Sequence, residues 1–163
     1  MILAHLPSGY VLARLTGQPR GLPMAAALLG AVFPDLDLIW FYLIDDRAFH
    51  HHRYWVHAPG FWLILGAVAL PLIRRYARRF LLPALLFLAA VFLHIVLDTL
   101  AGSIMWLWPF SDRLYALVEV PPARSHWILS FLTHWTVLAE LALILWAAVL
   151  FLRRPKPAEP LKA

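Results

Sequence analysis

Phe80-Leu81-Leu82-Pro83-Ala84-Leu85-Leu86-Phe87-Leu88-Ala89-Ala90-Val91-Phe92-Leu93-His94-Ile95-Val96-Leu97-Asp98-Thr99-Leu100-Ala101 contains no Lys, Arg or Glu, and its one Asp, Asp98, lies four positions after its one His, His94. A run of this length and composition meets the requirement of about 20 apolar residues for a helix that crosses a bilayer. Three comparable stretches flank it, from about Leu22 to Ile44, Ala58 to Ile73 and Trp127 to Leu152. Ile2 to Leu15 is apolar but shorter, and at 1.5 Å per residue a helix there would extend only about 22 Å. The expected fold is therefore all-α: a polytopic helical membrane bundle with four long spans plus a short N-terminal helix. It forms one domain over residues 1–152, followed by a basic, Pro-rich tail over 153–163 expected to be disordered.

Composition agrees. Of 163 residues, 63% are hydrophobic and 14% are charged, and mean hydropathy is +0.74. A soluble domain is nearer half apolar and a quarter charged. The formal net charge of +5 does not indicate nucleic-acid binding, because the basic residues sit in short clusters at the ends of apolar runs. Arg14, Arg20, Arg74, Arg75, Arg78, Arg79, Arg153, Arg154, Lys156 and Lys162 fall on one side if four spans alternate, against Arg47, Arg53, Arg113 and Arg124 on the other. Positive residues mark the cytoplasmic face, so the C-terminus is expected there. Met1-Ile2-Leu3-Ala4-His5 lacks a basic leader and does not read as a cleaved signal peptide. There is no Cys, which excludes disulfides, thiolate ligands and Cys nucleophiles.

Ionisable side chains within apolar spans are costly and need a reason. Phe33-Pro34-Asp35-Leu36-Asp37 interrupts the first long stretch, His94 and Asp98 close the third, and His134 and Glu140 lie in the fourth. In the expected topology Asp35, Asp37, His94, Asp98 and His134 share the exoplasmic half, with His52 and His57 in the loop on that side. His94 and Asp98, four apart, stack on one helix face. Asp35 and Asp37 would diverge on a regular helix, but Pro34 permits a break that aims both inward. The absence of thiolates leaves imidazole and carboxylate, ligands that suit Zn, Mn, Fe or Mg. His50 and His51 read as solvated loop residues, His126 as interfacial, and His134 as open between ligand and interhelical hydrogen bond. Glu140, six residues beyond His134, falls off that face.

At these residues the sequence resembles the YdjM-like family of LexA-regulated, membrane-bound, predicted metal-dependent hydrolases. The likeness runs through His5 and Gly9, the Phe33-Pro34-Asp35-Leu36-Asp37 element, His52-Arg53-Tyr54-Trp55-Val56-His57-Ala58, His94 to Asp98, and Trp108-Pro109. It covers roughly Met1 to Phe110. Val56 and Ala58 stand where the family pattern has Thr and Ser, removing any hydrogen bonds those hydroxyls gave. The resemblance implies a bacterial inner-membrane hydrolase and brings His5 into the ligand set.

The combined expectation is a site near the exoplasmic face. His5, Asp35, Asp37, His52, His57, His94 and Asp98 would hold one or two divalent ions, with Zn foremost. Arg53 would stabilise developing negative charge. A spare carboxylate would act as base, with Asp37 a candidate and the choice open. The expected substrate is a phosphoester, perhaps on a membrane lipid; the sequence leaves the oligomeric state open. Two other classes fit the same residues: a small metal- or proton-handling transporter subunit, and a structural bundle using His and Asp between helices.

Overall fold

The computed structural model describes residues 3–121, 124 and 126–153. The expected tail beyond Arg153 lies outside these described residues. Within them the chain is helical, without strands: α1 His5–Leu15, α2 Gly21–Val32, α3 Asp37–Leu43, α4 Pro59–Tyr76, α5 Leu81–Thr99, α6 Trp127–Leu132 and α7 Val137–Leu152, joined in places by short 3-10 turns. Among the described residues, extended backbone pairs once, in an isolated bridge between Ile104 and Tyr115.

The expected spans are realised unevenly. Among the described residues, Arg78–Thr99 alone is one helix long and apolar enough to cross a membrane. The first expected span is two helices, Gly21–Val32 and Pro34–Leu43, bent by 53°. Pro34 lacks an amide hydrogen and starts a 3-10 turn, so the helical ladder cannot run through it. The fourth expected span is also divided, into α6 and α7. At that junction the Thr133 hydroxyl donates to the Leu129 carbonyl at 2.8 Å, and His134 Nδ1 pairs with Thr136 Oγ1 at 3.0 Å. Such local side-chain bonds compete with a continuous helix. The helix α4 has 18 residues but ends in Arg74-Arg75-Tyr76.

The short N-terminal helix is central rather than peripheral. It packs on α2, α5 and α7, while α2 lies against α5. Small residues permit this closeness. A Cβ on Gly9 would stand 2.6 Å from both the Ala27 carbonyl oxygen and Ala31 Cβ, and one on Gly30 would run into the Phe87 backbone. Small-residue seams of this kind let helices approach in an apolar medium, where close packing replaces the hydrophobic drive. The α1–α2 seam is sealed by Ala13, Met24, Ala27 and Leu86. A second cluster, Trp62, Val91, Ile95 and Ile104, fixes α4 and the loop after α5.

Replacing Gly9 by Val should destabilise the bundle by about 1–3 kcal/mol through overpacking. Thermal unfolding in detergent reads this directly, and an unchanged midpoint would contradict the close α1–α2 contact.

Candidate metal centre

Four segments deliver the polar side chains. His5 opens α1, Asp35 and Asp37 lie in and just after the Pro34 break, His51, His52 and His57 come from two 3-10 turns, and His94 and Asp98 close α5. In α5 the four-residue spacing sets His94 Nε2 3.0 Å from Asp98 Oδ2. The break gives the two neighbouring carboxylates different targets. Asp35 reaches to 3.7 Å from His94 Nε2 and 4.0 Å from His5 Nε2, whereas Asp37 accepts a hydrogen bond from His57 Nδ1 at 2.8 Å.

Asp98 is the hub. Its Oδ1 lies 3.1 Å from His5 Nε2, and its Oδ2 lies 3.5 Å from His52 Nε2 and 3.7 Å from His57 Nε2. The carboxylate is only 2% exposed, and His57 and His94 are fully buried. Gly102 makes room for this packing, since a Cβ there would come within 2.8 Å of the His52 ring.

The outer nitrogens of the rings decide what the inner ones present. His94 Nδ1 donates to the Ala31 carbonyl at 2.8 Å, and His52 Nδ1 donates to the Ser103 carbonyl at 3.1 Å. A carbonyl only accepts, so each Nδ1 carries the proton. His57 Nδ1 is committed in the same way to Asp37. The Ala31 acceptor is available because it lies in the last turn of α2, where carbonyls lack intrahelical partners.

In a neutral ring the Nε2 then presents a lone pair, and all three Nε2 atoms face the Asp98 carboxylate. His57 Nε2 and His94 Nε2 are also 3.4 Å apart. Second protons on all three rings would settle these contacts, at the expense of packing like charges together. The His52 and His57 rings are centred 4.5 Å apart, and His57 and His94 5.4 Å apart. His5 is stacked on His94 at 3.7 Å. Burial pushes the loop imidazoles His52 and His57 below their ordinary pKa, overriding the pull of the nearby carboxylates, so they stay neutral at neutral pH.

A cation would resolve the conflict, and the donor set could hold one. Ligands held tetrahedrally about 2.0–2.2 Å from a zinc ion stand about 3.3–3.6 Å from each other, close to the separations around Asp98. Among the described residues, two groups have ligand atoms within 4.8 Å of one another: His5, Asp35, His94 and Asp98, and His51, His52 and His57. Imidazoles whose second nitrogen donates to a carbonyl or carboxylate are the usual second-shell arrangement of metal-binding His. Asp37 Oδ1 and His51 Nδ1 are buried without a hydrogen-bond partner and face each other at 3.5 Å.

The residues expected from sequence as ligands are thus brought to one place, with Asp37 behind His57 rather than in either group of ligand atoms. His51, read there as a solvated loop residue, joins them because the 3-10 turn folds it over Asp37. His50 accepts from the His52 amide at 3.2 Å and caps that turn. His126 does the same for the Ile128 amide at 3.3 Å, and His134 belongs to the α6–α7 junction. Arg53 is exposed. It does not line the cavity of about 600 Å³ that opens beside the cluster; Arg47 does.

Glu140 has a role outside the ligand set. Buried to 1% exposure in α7, it accepts from the Leu3 and Ala4 amides at 2.5 and 3.1 Å. These amides precede His5 at the positive end of α1, where a carboxylate is favourable. Glu140 therefore anchors the chain at the residue before His5.

The bundle thus has the apolar helices of a membrane-type protein and buried imidazoles and carboxylates that could hold a metal ion. The chain belongs to the YdjM inner membrane protein family, whose model matches residues 1–157. No curated protein and no solved structure matches it.

Glu140→Leu leaves the buried Ala4 amide without its acceptor, a loss of about 1–3 kcal/mol, whereas Glu140→Gln keeps an acceptor oxygen. Thermal unfolding should rank wild type, then Gln, then Leu. Equal midpoints for the two variants would remove the anchoring role.

Proposed function

We propose that the protein is a membrane-bound metal-dependent hydrolase acting on phosphoesters, with its site near the exoplasmic face. The observation that carries this reading is the convergence of three Nε2 atoms on the Asp98 carboxylate while their Nδ1 protons are engaged elsewhere. His5, Asp35, His94 and Asp98 would hold one divalent ion. His52, His57 and His51 would supply ligands for a second, with Asp98 between the two groups. Zn suits this nitrogen-rich set best, with Mn, Fe or Mg as alternatives. Metal bound there supplies Lewis-acid polarisation of the scissile group and a lowered pKa for water.

The chain's own residues divide the remaining work. Asp37 holds His57 in its tautomer. Asp35 retains 31% side-chain exposure and lines the cavity, so it is the ligand of its group that an entering water would meet first. The apolar side of the cavity lowers the local dielectric and strengthens the charge interactions beside it.

The membrane setting proposed with this function retains four apolar passes. The outward faces of α4 (Leu63, Ile64, Val68, Leu72) and α7 (Leu138, Leu141, Leu145, Phe151) are exposed and apolar, as lipid contact requires. Short helices are accommodated by local thinning of the bilayer. The Arg74–Arg79 turn and the C-terminus then face the cytoplasm.

Reading the polar residues only as links between helices leaves the convergence of three imidazoles from separate segments on one buried carboxylate unexplained. The two readings separate on metal content. Mass spectrometry of detergent-purified protein should find stoichiometric divalent metal, lost in a His94→Ala, Asp98→Ala variant prepared alongside. Phosphoester hydrolysis should fall by at least about a thousandfold in the same variant, the scale of removing a metal-centred activation. Retained activity without the two side chains would sink the hydrolase reading.

A further inference from the structure

The cavity beside the metal-ligand cluster has two kinds of wall. Asp35, Asp98, His51 and His52 line its polar side, and Leu38, Phe41, Val120 and Phe131 its apolar side. Its volume of about 600 Å³ lies within the usual range of small-molecule sites, about 300–1,000 Å³. Arg47 is the one Arg or Lys among the lining residues.

The backbone holds Arg47 there at a cost. Asp46 and Arg47 follow one another with φ of 44° and 60°, the left-handed region that costs a residue with a Cβ about 1–2 kcal/mol. The Arg47 amide donates to the Phe41 carbonyl at 2.9 Å, closing this turn onto the end of α3. The guanidinium lies 5.9 Å from the centre of the Tyr42 ring, and Tyr42 also lines the cavity. Among the described residues no carboxylate forms an ion pair with Arg47, so its fork of donors is available to a ligand. Consecutive strained residues at the rim of a cavity are where functional constraint is usually found.

We propose that Arg47 is the anion clamp of this cavity, and that the ligand is an amphiphilic phosphate ester. Its phosphate sits between Arg47 and the His/Asp cluster, and its aliphatic chain lies along Leu38, Phe41, Val120 and Phe131. The assignment moves the anion-binding role from Arg53 to Arg47. It rests on the phosphoester reading for its reaction, but binding can be measured without turnover.

The test is calorimetric titration of the full-length protein in a nonionic detergent. The probes are octyl phosphate, inorganic phosphate and octanol, with metal content determined on the same samples. Octyl phosphate should bind at least about tenfold more tightly than either of the others, because only it engages both walls. Arg47→Gln should weaken octyl phosphate by at least about tenfold, the usual value of a charge-assisted hydrogen bond, with metal content unchanged. Arg47→Lys should fall between, since it keeps the charge and loses the fork, while Arg53→Gln should bind as wild type.

Equal affinity for octyl and inorganic phosphate would overturn the amphiphile. Wild-type binding by Arg47→Gln, or an equal loss in Arg53→Gln, would overturn the clamp. Arg47-dependent binding in a protein that holds no metal would support the clamp while refuting the metal-dependent reaction.

Discussion

Asp98 sets the terms for the rest of the molecule. A carboxylate with almost no exposure, surrounded by apolar helices, must find its stabilisation in neighbouring groups rather than in water. It draws on His5 from the first helix, His52 and His57 from the loop turns, and His94 from its own helix. No two of these elements could shift independently without disturbing a buried polar contact. The apolar seams give closeness, but it is this charge that fixes which turn of each helix meets which.

The break at Pro34 is the complementary constraint. It ends α2 early enough to leave main-chain carbonyls over for side chains, and it turns two acidic residues in different directions. A continuous helix would place Asp35 and Asp37 about 200° apart around its axis, so one would face away from the site. With the break, one carboxylate joins the cluster directly and the other holds an imidazole from behind.

What the sequence revealed follows from how local each feature is. The pairing of His94 and Asp98 depends only on helix periodicity, and the Pro34 break only on proline chemistry, so both were legible. His51 was not, because a histidine in a polar loop looks the same whether a 3-10 turn folds it inward or leaves it in water. Arg53 and Arg47 are both arginines in one loop, and only the left-handed turn after α3 separates them. The lengths of the apolar stretches were read correctly as composition and poorly as helices. Thr133, His134 and Thr136 interrupt a run whose average polarity barely registers them. Glu140 accepts hydrogen bonds from the backbone of residues more than 130 positions away, which no local pattern can announce.

The acceptor for His94 is a main-chain oxygen, and this has a consequence for how the protein can change. A side-chain acceptor can be deleted by one nucleotide substitution, whereas the Ala31 carbonyl is present whatever amino acid occupies that position. The protonation pattern of the innermost histidine is thus insulated from sequence drift along the facing helix, and only an alteration in the path of the backbone can reach it. Position 31 is free to vary in its side chain only as far as the Gly9 seam allows, so selection on helix packing and selection on the buried imidazole fall on the same residue through different atoms.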